Sequence, residues 1–232
     1  MTSMIYPTTN PAMSEQMVVA RAEGPYIYDK QGKRYLEGMA GLWCTALGYG
    51  NEEIIEAAQR QMRELSFSHM FGGKTHSSAI ELADKLAAMV PMQDGRVFLG
   101  NSGSDANDTL LKLIRYHAEA SGQPNRIKVI AREQGYHGVT LASAALTAIP
   151  TNHAHFQLPF EALGVLRTGS ANYYRGANDG ESEAEFVARR AQELEALILA
   201  EGPETIAAMI AEPVSGAGGV IVPPEGYFEA IQ

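Results

Sequence analysis

The sequence predicts an α/β fold built on a mostly parallel sheet, and three observations carry that expectation. After Pro91 the chain repeats strand, glycine turn and helix, a rhythm that covers a parallel sheet with helices on both faces. Three glycine-containing segments, Ser102-Gly103-Ser104, Gly135-Tyr136-His137-Gly138 and Glu212-Pro-Val-Ser-Gly216-Ala-Gly218-Gly219, come at or near the ends of apolar strands. Open α/β sheets gather their ligands at such ends. A length of 232 residues with 45% hydrophobic side chains is enough to bury a substantial core.

Taken in order, residues 1–16 are polar and proline-containing and read as an arm. Met17 to Ala22, Tyr26 to Tyr28 and Arg34 to Leu36 read as short strands of a small antiparallel unit, with Asp29 to Gly32 as a turn. Asn51 caps a helix whose apolar positions are Ile54, Ile55, Ala58, Met62 and Leu65. Ser77 or Ser78 caps another with Ala83, Leu86, Ala87 and Val90 on one face, ended by Pro91.

A strand over 96–99 then leads to a helix over 105–119 with the stripe Ala106, Leu110, Leu113, Ile114 and His117. A strand over 127–131 passes through Gly-Tyr-His-Gly to a helix over 139–147. A strand near Val165 and Leu166 precedes a long irregular stretch, then a helix over 181–200 with the stripe Val187, Ala191, Leu194 and Ile198. Ile206 to Ile210 is the next strand, and Glu225 to Gln232 reads as the opening of another helix. With about four parallel strands in hand, the sheet is expected to be incomplete.

Charge and composition exclude several functions. The net charge of −9, with no cluster of Lys and Arg, argues against a nucleic-acid partner. No run of about 18 apolar residues is present and the N-terminus lacks the pattern of a secretory leader, so a soluble, cytoplasmic protein with no membrane contact is expected. The one cysteine, Cys44, forms no internal disulfide and is expected to be a buried small hydrophobe. His153 and His155 have a metal-compatible spacing, but two imidazoles without Cys or patterned carboxylates make no site, and no metal is expected.

The three glycine-framed segments hold the chemistry. Ser102, Gly103 and Ser104 offer backbone N–H groups at a helix N-terminus, a residue that permits close approach and a hydroxyl, which together suit a phosphate monoester; the same residues also make an ordinary helix cap. No Gly-Lys-Ser/Thr and no Gly-x-Gly-x-x-Gly accompanies them, which disfavours a nucleotide. Tyr136 and His137 are either turn residues or a surface for stacking a flat ring. Glu212, at the end of an apolar strand, must reach solvent or a partner and is either structural or a tuner of a charged group. Trp43, the single tryptophan, lies in the glycine-rich Gly41 to Gly48 and is either core or pocket wall.

The order Gly32, Tyr35-Leu36, Trp43, then Ser102-Gly-Ser-Asp-Ala106, Gly135-Tyr-His-Gly138 and Ala211-Glu-Pro-Val-Ser-Gly-Ala-Gly-Gly219 closely resembles the class III aminotransferases of pyridoxal-phosphate (PLP) fold type I. The resemblance runs over essentially the whole chain and is strongest to ω-amino acid and amine:pyruvate transaminases. It implies PLP as cofactor, small-molecule amine and keto acid substrates, and a homodimer. It also implies that Ser102, Gly103 and Ser104 hold the phosphate, Tyr136 stacks on the ring, His137 supports that wall, and Glu212 sits beside the group that pairs with the ring nitrogen. Leu42, Trp43 and Phe71 would line the substrate space, made roomier by Gly72.

Two departures are informative. Branches that use 2-oxoglutarate carry a glutamate where this chain has Ala217, which points to pyruvate or an aldehyde as the acceptor, pyruvate being the one expected. Family members also run to roughly twice this length, and none of Lys30, Lys33, Lys74, Lys85, Lys112 and Lys128 matches the family's Schiff-base lysine motif. By the resemblance, residues 1–70 form an arm and part of the small domain, 71–232 form an incomplete PLP-binding domain, and no residue here is assigned a catalytic role. The alone chain is expected to be inactive, with an aminomutase or another class III activity, or a non-catalytic split half, as the alternatives.

Overall fold

The computed structural model describes residues 3–7, 9–10, 12 and 16–232. They gather into two compact units, Met1–Gly95 and Arg96–Gln232. The arm expected over residues 1–16 lies in part outside the described residues.

In the first unit, strands β1 (Val19–Glu23), β2 (Tyr26–Asp29) and β3 (Arg34–Leu36) form an antiparallel meander in that order. Asp29 closes the second turn, its Oδ1 accepting the N–H groups of Gln31 and Lys33 at 2.9 Å each and its Oδ2 accepting Tyr35 Oη–H at 2.9 Å. A single turn, α1 (Ala40–Trp43), follows. All four of its residues have positive φ, so it winds left-handed. That conformation costs roughly 1–2 kcal/mol for each of the non-glycine residues Ala40, Leu42 and Trp43.

Cys44 follows that turn at the surface and is exposed, which corrects the expectation of burial: it stands on no strand or helix face directed at a core. Helix α2 (Glu52–Glu64) starts at Asn51, whose Oδ1 accepts Ile54 N–H at 3.2 Å, as expected. Helix α3 (Ser77–Met89) is capped one residue earlier than expected, by His76, whose Nδ1 accepts Ala79 N–H at 3.3 Å. An imidazole nitrogen does the work of a hydroxyl there, which a search for Ser, Thr, Asp or Asn caps misses. Val90 is extended before Pro91 and ends the helix.

The second unit has the sheet that positions the site. Its elements are α4 (Gly103–Ala120), β4 (Lys128–Arg132), α5 (Leu141–Leu146), α6 (Phe160–Leu163), β5 (Val165–Thr168), α7 (Tyr173–Gly176), α8 (Glu183–Glu201), β6 (Ile206–Ile210) and α9 (Tyr227–Ile231). The strands are parallel in the order β5-β4-β6, with Val129 opposite Val165 and Ala208. Side chains alternate across β4. Val129 and Ala131 pack with Leu111 of α4 and Leu146 of α5, while Arg132 turns to the other side, toward Tyr227 and Phe228 of α9. A second cluster of Phe186, Val187, Tyr227 and Ala171 joins α8 and α9. The parallel sheet with helices on both faces is therefore as expected.

Two expectations need correction. Residues 96–99 join neither sheet among the described residues, and Phe98 is 63% exposed. An apolar run becomes a strand only where a neighbour takes its N–H and C=O groups. Helix α4 buries Leu111 and Ala118, whereas Leu110 and Leu113 of the expected stripe are exposed. With leucines at both 110 and 111, periodicity alone does not settle which face turns inward.

Candidate functional site

The C-terminal ends of β4 and β6 and the N-terminus of α4 meet at one corner of the larger unit, joined by three hydrogen bonds. Val139 N–H donates to Ser104 Oγ at 3.0 Å, Asn107 Nδ2 donates to the carbonyl of His137 at 2.6 Å, and Tyr136 N–H donates to Glu212 Oε1 at 3.1 Å. Ser104, Tyr136, His137 and Glu212 are thereby brought together. Ser102 plays the ordinary capping role, its Oγ accepting Asp105 N–H at 3.1 Å. The first N–H groups of α4, at Gly103 and Ser104, have no partner within a helix by geometry. A Cβ at Gly103 would meet nothing within 4 Å. Asp105 turns its Oδ2 back to Asn101 N–H at 3.0 Å, so this carboxylate is engaged with the preceding loop.

The loop after β4 is packed tightly enough to require its glycines. Gly138 has φ +134°, and a Cβ there would lie 2.6 Å from Ser104 Oγ and collide with Ser143 Oγ. At Gly218 a Cβ would strike the carbonyl oxygen of Gln134, which shows how closely the 212–219 loop lies against the 132–138 loop.

Beneath them, Thr147 Oγ1 accepts His137 N–H at 2.8 Å and shares its own proton between the carbonyls of Gly138 and Ser143 at 3.1 and 3.3 Å. Asp108 Oδ1 accepts from Thr140 Oγ1 at 2.7 Å and from Ser143 N–H at 2.9 Å, tying α4 to the start of α5.

Electrostatically the corner is mixed. Arg132 is wholly buried; it donates to the carbonyl of Glu212 and to Ser215 Oγ at 3.2 Å, and lies 3.8 Å from Glu212 Oε2. His137 is buried, with Nε2 lacking a protein partner. Burial pushes its imidazole below the ordinary value of 6.5, the Glu212 carboxylate opposes this, and the Arg167 and Arg132 guanidinium groups add to it. His137 is therefore held neutral. Tyr136 is 39% exposed.

Leu42, Trp43 and Phe71 lie in the first unit, and all three are exposed there, Trp43 at 60%. Of the histidines weighed as ligands, His153 donates Nε2–H to the carbonyls of Ala144 and Thr147. No group of three or more His, Cys, Asp or Glu is placed to hold a metal among the described residues.

Arg132, Asn107, Asp108 and Thr147 also build the corner, and the sequence singles out none of them as a site residue. The one available signal was the run Val129-Ile-Ala-Arg132, in which Arg132 falls on the same strand face as the apolar Ile130.

A family model described as Aminotransferase class-III matches residues 8–232. The chain belongs to the class III aminotransferases. It is 49% identical over 219 residues to the probable γ-aminobutyrate transaminase 2, mitochondrial, of Oryza sativa subsp. indica, covering 94% of this chain and 44% of that one. It is 48% identical over 219 residues to the γ-aminobutyrate transaminase 1, mitochondrial, of Solanum lycopersicum, covering 94% and 42%. Among solved structures, the ω-transaminase of Pseudomonas jessenii in complex with PMP superposes with a TM-score of 0.95 at 50% identity, covering 99% of this chain and 51% of that one. The chain thus spans about half the length of the curated relatives it matches. Its α/β architecture is that of the class III aminotransferases, the fold type I of PLP-dependent transferases.

Proposed function

We propose that this chain is the cofactor-seating N-terminal part of a PLP-dependent aminotransferase that moves an amino group from an amine or ω-amino acid to a keto acid, with pyruvate as the acceptor. The convergence of the α4 N-terminus, the Gly135–Gly138 loop and Glu212 carries the reading. It is supported by the γ-aminobutyrate named for the plant relatives, itself an ω-amino acid.

The residues present fit the cofactor. The space beside Gly103 and the N–H groups of Gly103 and Ser104 suit a phosphate dianion at a helix N-terminus. Ser104 Oγ already accepts Val139 N–H, which leaves its own proton to donate to that phosphate. The open ring of Tyr136 suits stacking against a pyridine, worth about 1 kcal/mol. Tyr136 N–H and the Arg132 side hold Glu212 at the strand end. PLP, when bound, supplies an electron sink for carbanion chemistry at the amine carbon.

Neither lysine of the larger unit is near this corner. Lys112 stands roughly 13 Å along α4 from Gly103, and Lys128, at the opposite end of β4, donates Nζ to Glu201 at 2.9 Å. This supports a longer protein as the active form. Ala217, exposed in the 212–219 loop, places no carboxylate there and supports pyruvate over 2-oxoglutarate. The acidic charge of −9 is compatible with a cytoplasmic homodimer; cell fractionation and sedimentation of the family-length protein test location and assembly.

The deciding experiment compares kcat/KM for pyruvate and 2-oxoglutarate in the family-length enzyme with a small and a bulky amine, in parent and Trp43→Ala. Pyruvate should be preferred and the bulky donor should gain in the variant. A preference for 2-oxoglutarate would overturn the pyruvate assignment, and no amino transfer with any donor would overturn the whole reading.

A further inference from the structure

Ser104, Asn107 and Asp108 have the i, i+3, i+4 spacing that puts side chains on one stripe of a helix. From that stripe of α4 all three reach one loop, residues 137–143. Ser104 Oγ accepts Val139 N–H at 3.0 Å and Asn107 Nδ2 donates to the His137 carbonyl at 2.6 Å. Asp108 Oδ1 accepts Thr140 Oγ1–H at 2.7 Å and Ser143 N–H at 2.9 Å.

The Asp108 pair is a helix cap supplied from another helix. Thr140 occupies the N-cap position of α5, yet its side chain accepts none of the free N–H groups of the first turn. Ser143, the third residue of α5, gives its N–H to Asp108 instead. The Thr140 hydroxyl turns to the same carboxylate oxygen and lies 2.6 Å from Ser143 Oγ. A cap ordinarily comes from the residue that precedes the helix. Here one oxygen on α4 fixes where α5 begins.

That beginning sets the place of Val139. Thr140 follows it directly, and Gly138 before it is packed so closely that a Cβ there would lie 2.6 Å from Ser104 Oγ. Val139 N–H is thus aimed at Ser104 Oγ by a backbone held on both sides. With that oxygen accepting, the Ser104 proton has no acceptor among the described residues and is left for a ligand. Asp108 stands one turn below Ser104, where its negative charge opposes an anion at the helix start. What it contributes to such a site is geometry.

We propose that Asp108 is a positioning residue for the phosphate seat: by capping α5 from α4 it holds Val139 N–H on Ser104 Oγ and leaves the Ser104 hydroxyl free to donate to the cofactor phosphate. The inference rests on the assignment of Ser104 to the phosphate made above and adds to it the residue that orients that hydroxyl.

Asp108→Ala removes the cap, whereas Asp108→Asn keeps an acceptor oxygen in nearly the same shape. In the 232-residue chain, hydrogen exchange followed by NMR should show the Val139 amide exchanging about fivefold faster or more in Asp108→Ala, and within about twofold of the parent in Asp108→Asn. In the family-length enzyme, Asp108→Ala should lower PLP retention by about tenfold, with Asp108→Asn within about threefold of the parent. The distinguishing measurement is the double variant. Ser104→Ala combined with Asp108→Ala should retain PLP as Ser104→Ala alone does, to within about twofold, because residues that act through one bond do not add. If far-ultraviolet dichroism shows Asp108→Ala unfolded, Thr140→Val, which removes one of the two donors to Asp108, carries the same directions.

A parent-like Val139 amide in folded Asp108→Ala would overturn the inference. So would additive losses in the double variant, or a loss in Asp108→Asn equal to that in Asp108→Ala. Failure of the parent enzyme to retain PLP, or full retention in Ser104→Ala, would instead overturn the phosphate assignment beneath it, while the Val139 amide still reports whether Asp108 holds the loop.

Discussion

Tyr136 and Glu212 stand 76 positions apart in sequence, and the N–H of the first donates to Oε1 of the second at 3.1 Å. The bond joins the loops that follow β4 and β6, so the exposed ring of Tyr136 and the carboxylate of Glu212 keep a fixed relation. Arg132 stabilises the Glu212 side of that relation from within the core.

The 232-residue chain alone should show no amine–pyruvate exchange, because neither Lys112 nor Lys128 stands near the Gly103–Tyr136–Glu212 corner. Mass spectrometry after borohydride treatment with PLP should find no stoichiometric modification of one lysine. A single fully modified lysine together with turnover would sink this expectation.

Ser104→Ala in the family-length enzyme removes a hydroxyl assigned to the phosphate and the acceptor of Val139 N–H. Loss of a charge-assisted hydrogen bond corresponds to about 1.5–3 kcal/mol of cofactor retention. Gly103→Val should retain cofactor less well still by filling the open space there, yet fold normally, since its Cβ meets no protein atom. Equal cofactor retention in parent and both variants, by dialysis and reconstitution, would remove the phosphate assignment.

Thr147→Val keeps shape but leaves the buried His137 N–H without its acceptor. An unsatisfied buried donor costs about 1–3 kcal/mol, to be read from urea melts of the chain. A midpoint matching the parent would show that the 136–138 loop does not depend on this hydroxyl.

His137 supplies a pH dependence. Its folded-state pKa lies below the unfolded value of 6.5, chiefly through burial. Below about 6.5 the unfolded chain takes up the proton first, so stability falls as pH drops, whereas above that value the loss is absent. Glu181, held at about 2 chiefly by its hydrogen bonds from Arg189, contributes its own loss only below about 4.5. His137→Asn should therefore flatten stability between about pH 6.5 and 5. Parallel profiles for parent and variant would count against a buried, neutral His137.

Most of the architecture was legible because it rests on local signals: the Val187 and Leu194 stripe of α8, the Asn51 cap and the apolar run of β6 lie where expected. The site was half legible. Ser104, Tyr136, His137 and Glu212 stand in glycine-marked loops, whereas Arg132, Asn107 and Thr147 matter through partners 30 to 80 positions away or inside a buried loop, with no local mark. The left-handed turn had no readable signal either, since Ala-Gly-Leu-Trp carries one glycine and three residues that ordinarily avoid that conformation.

The bonds that shape the corner span 30, 35 and 76 residues, and the ladder beneath it is parallel. Contacts of such separation form only after the intervening chain has been closed into loops, which makes them slow. During synthesis the corner therefore has no complete form until Glu212 has left the ribosome and β6 has docked beside β4. A phosphate-bearing ligand would then lodge only after β6 is in place, so occupation of the corner would report the docking of β6 and not merely the formation of α4.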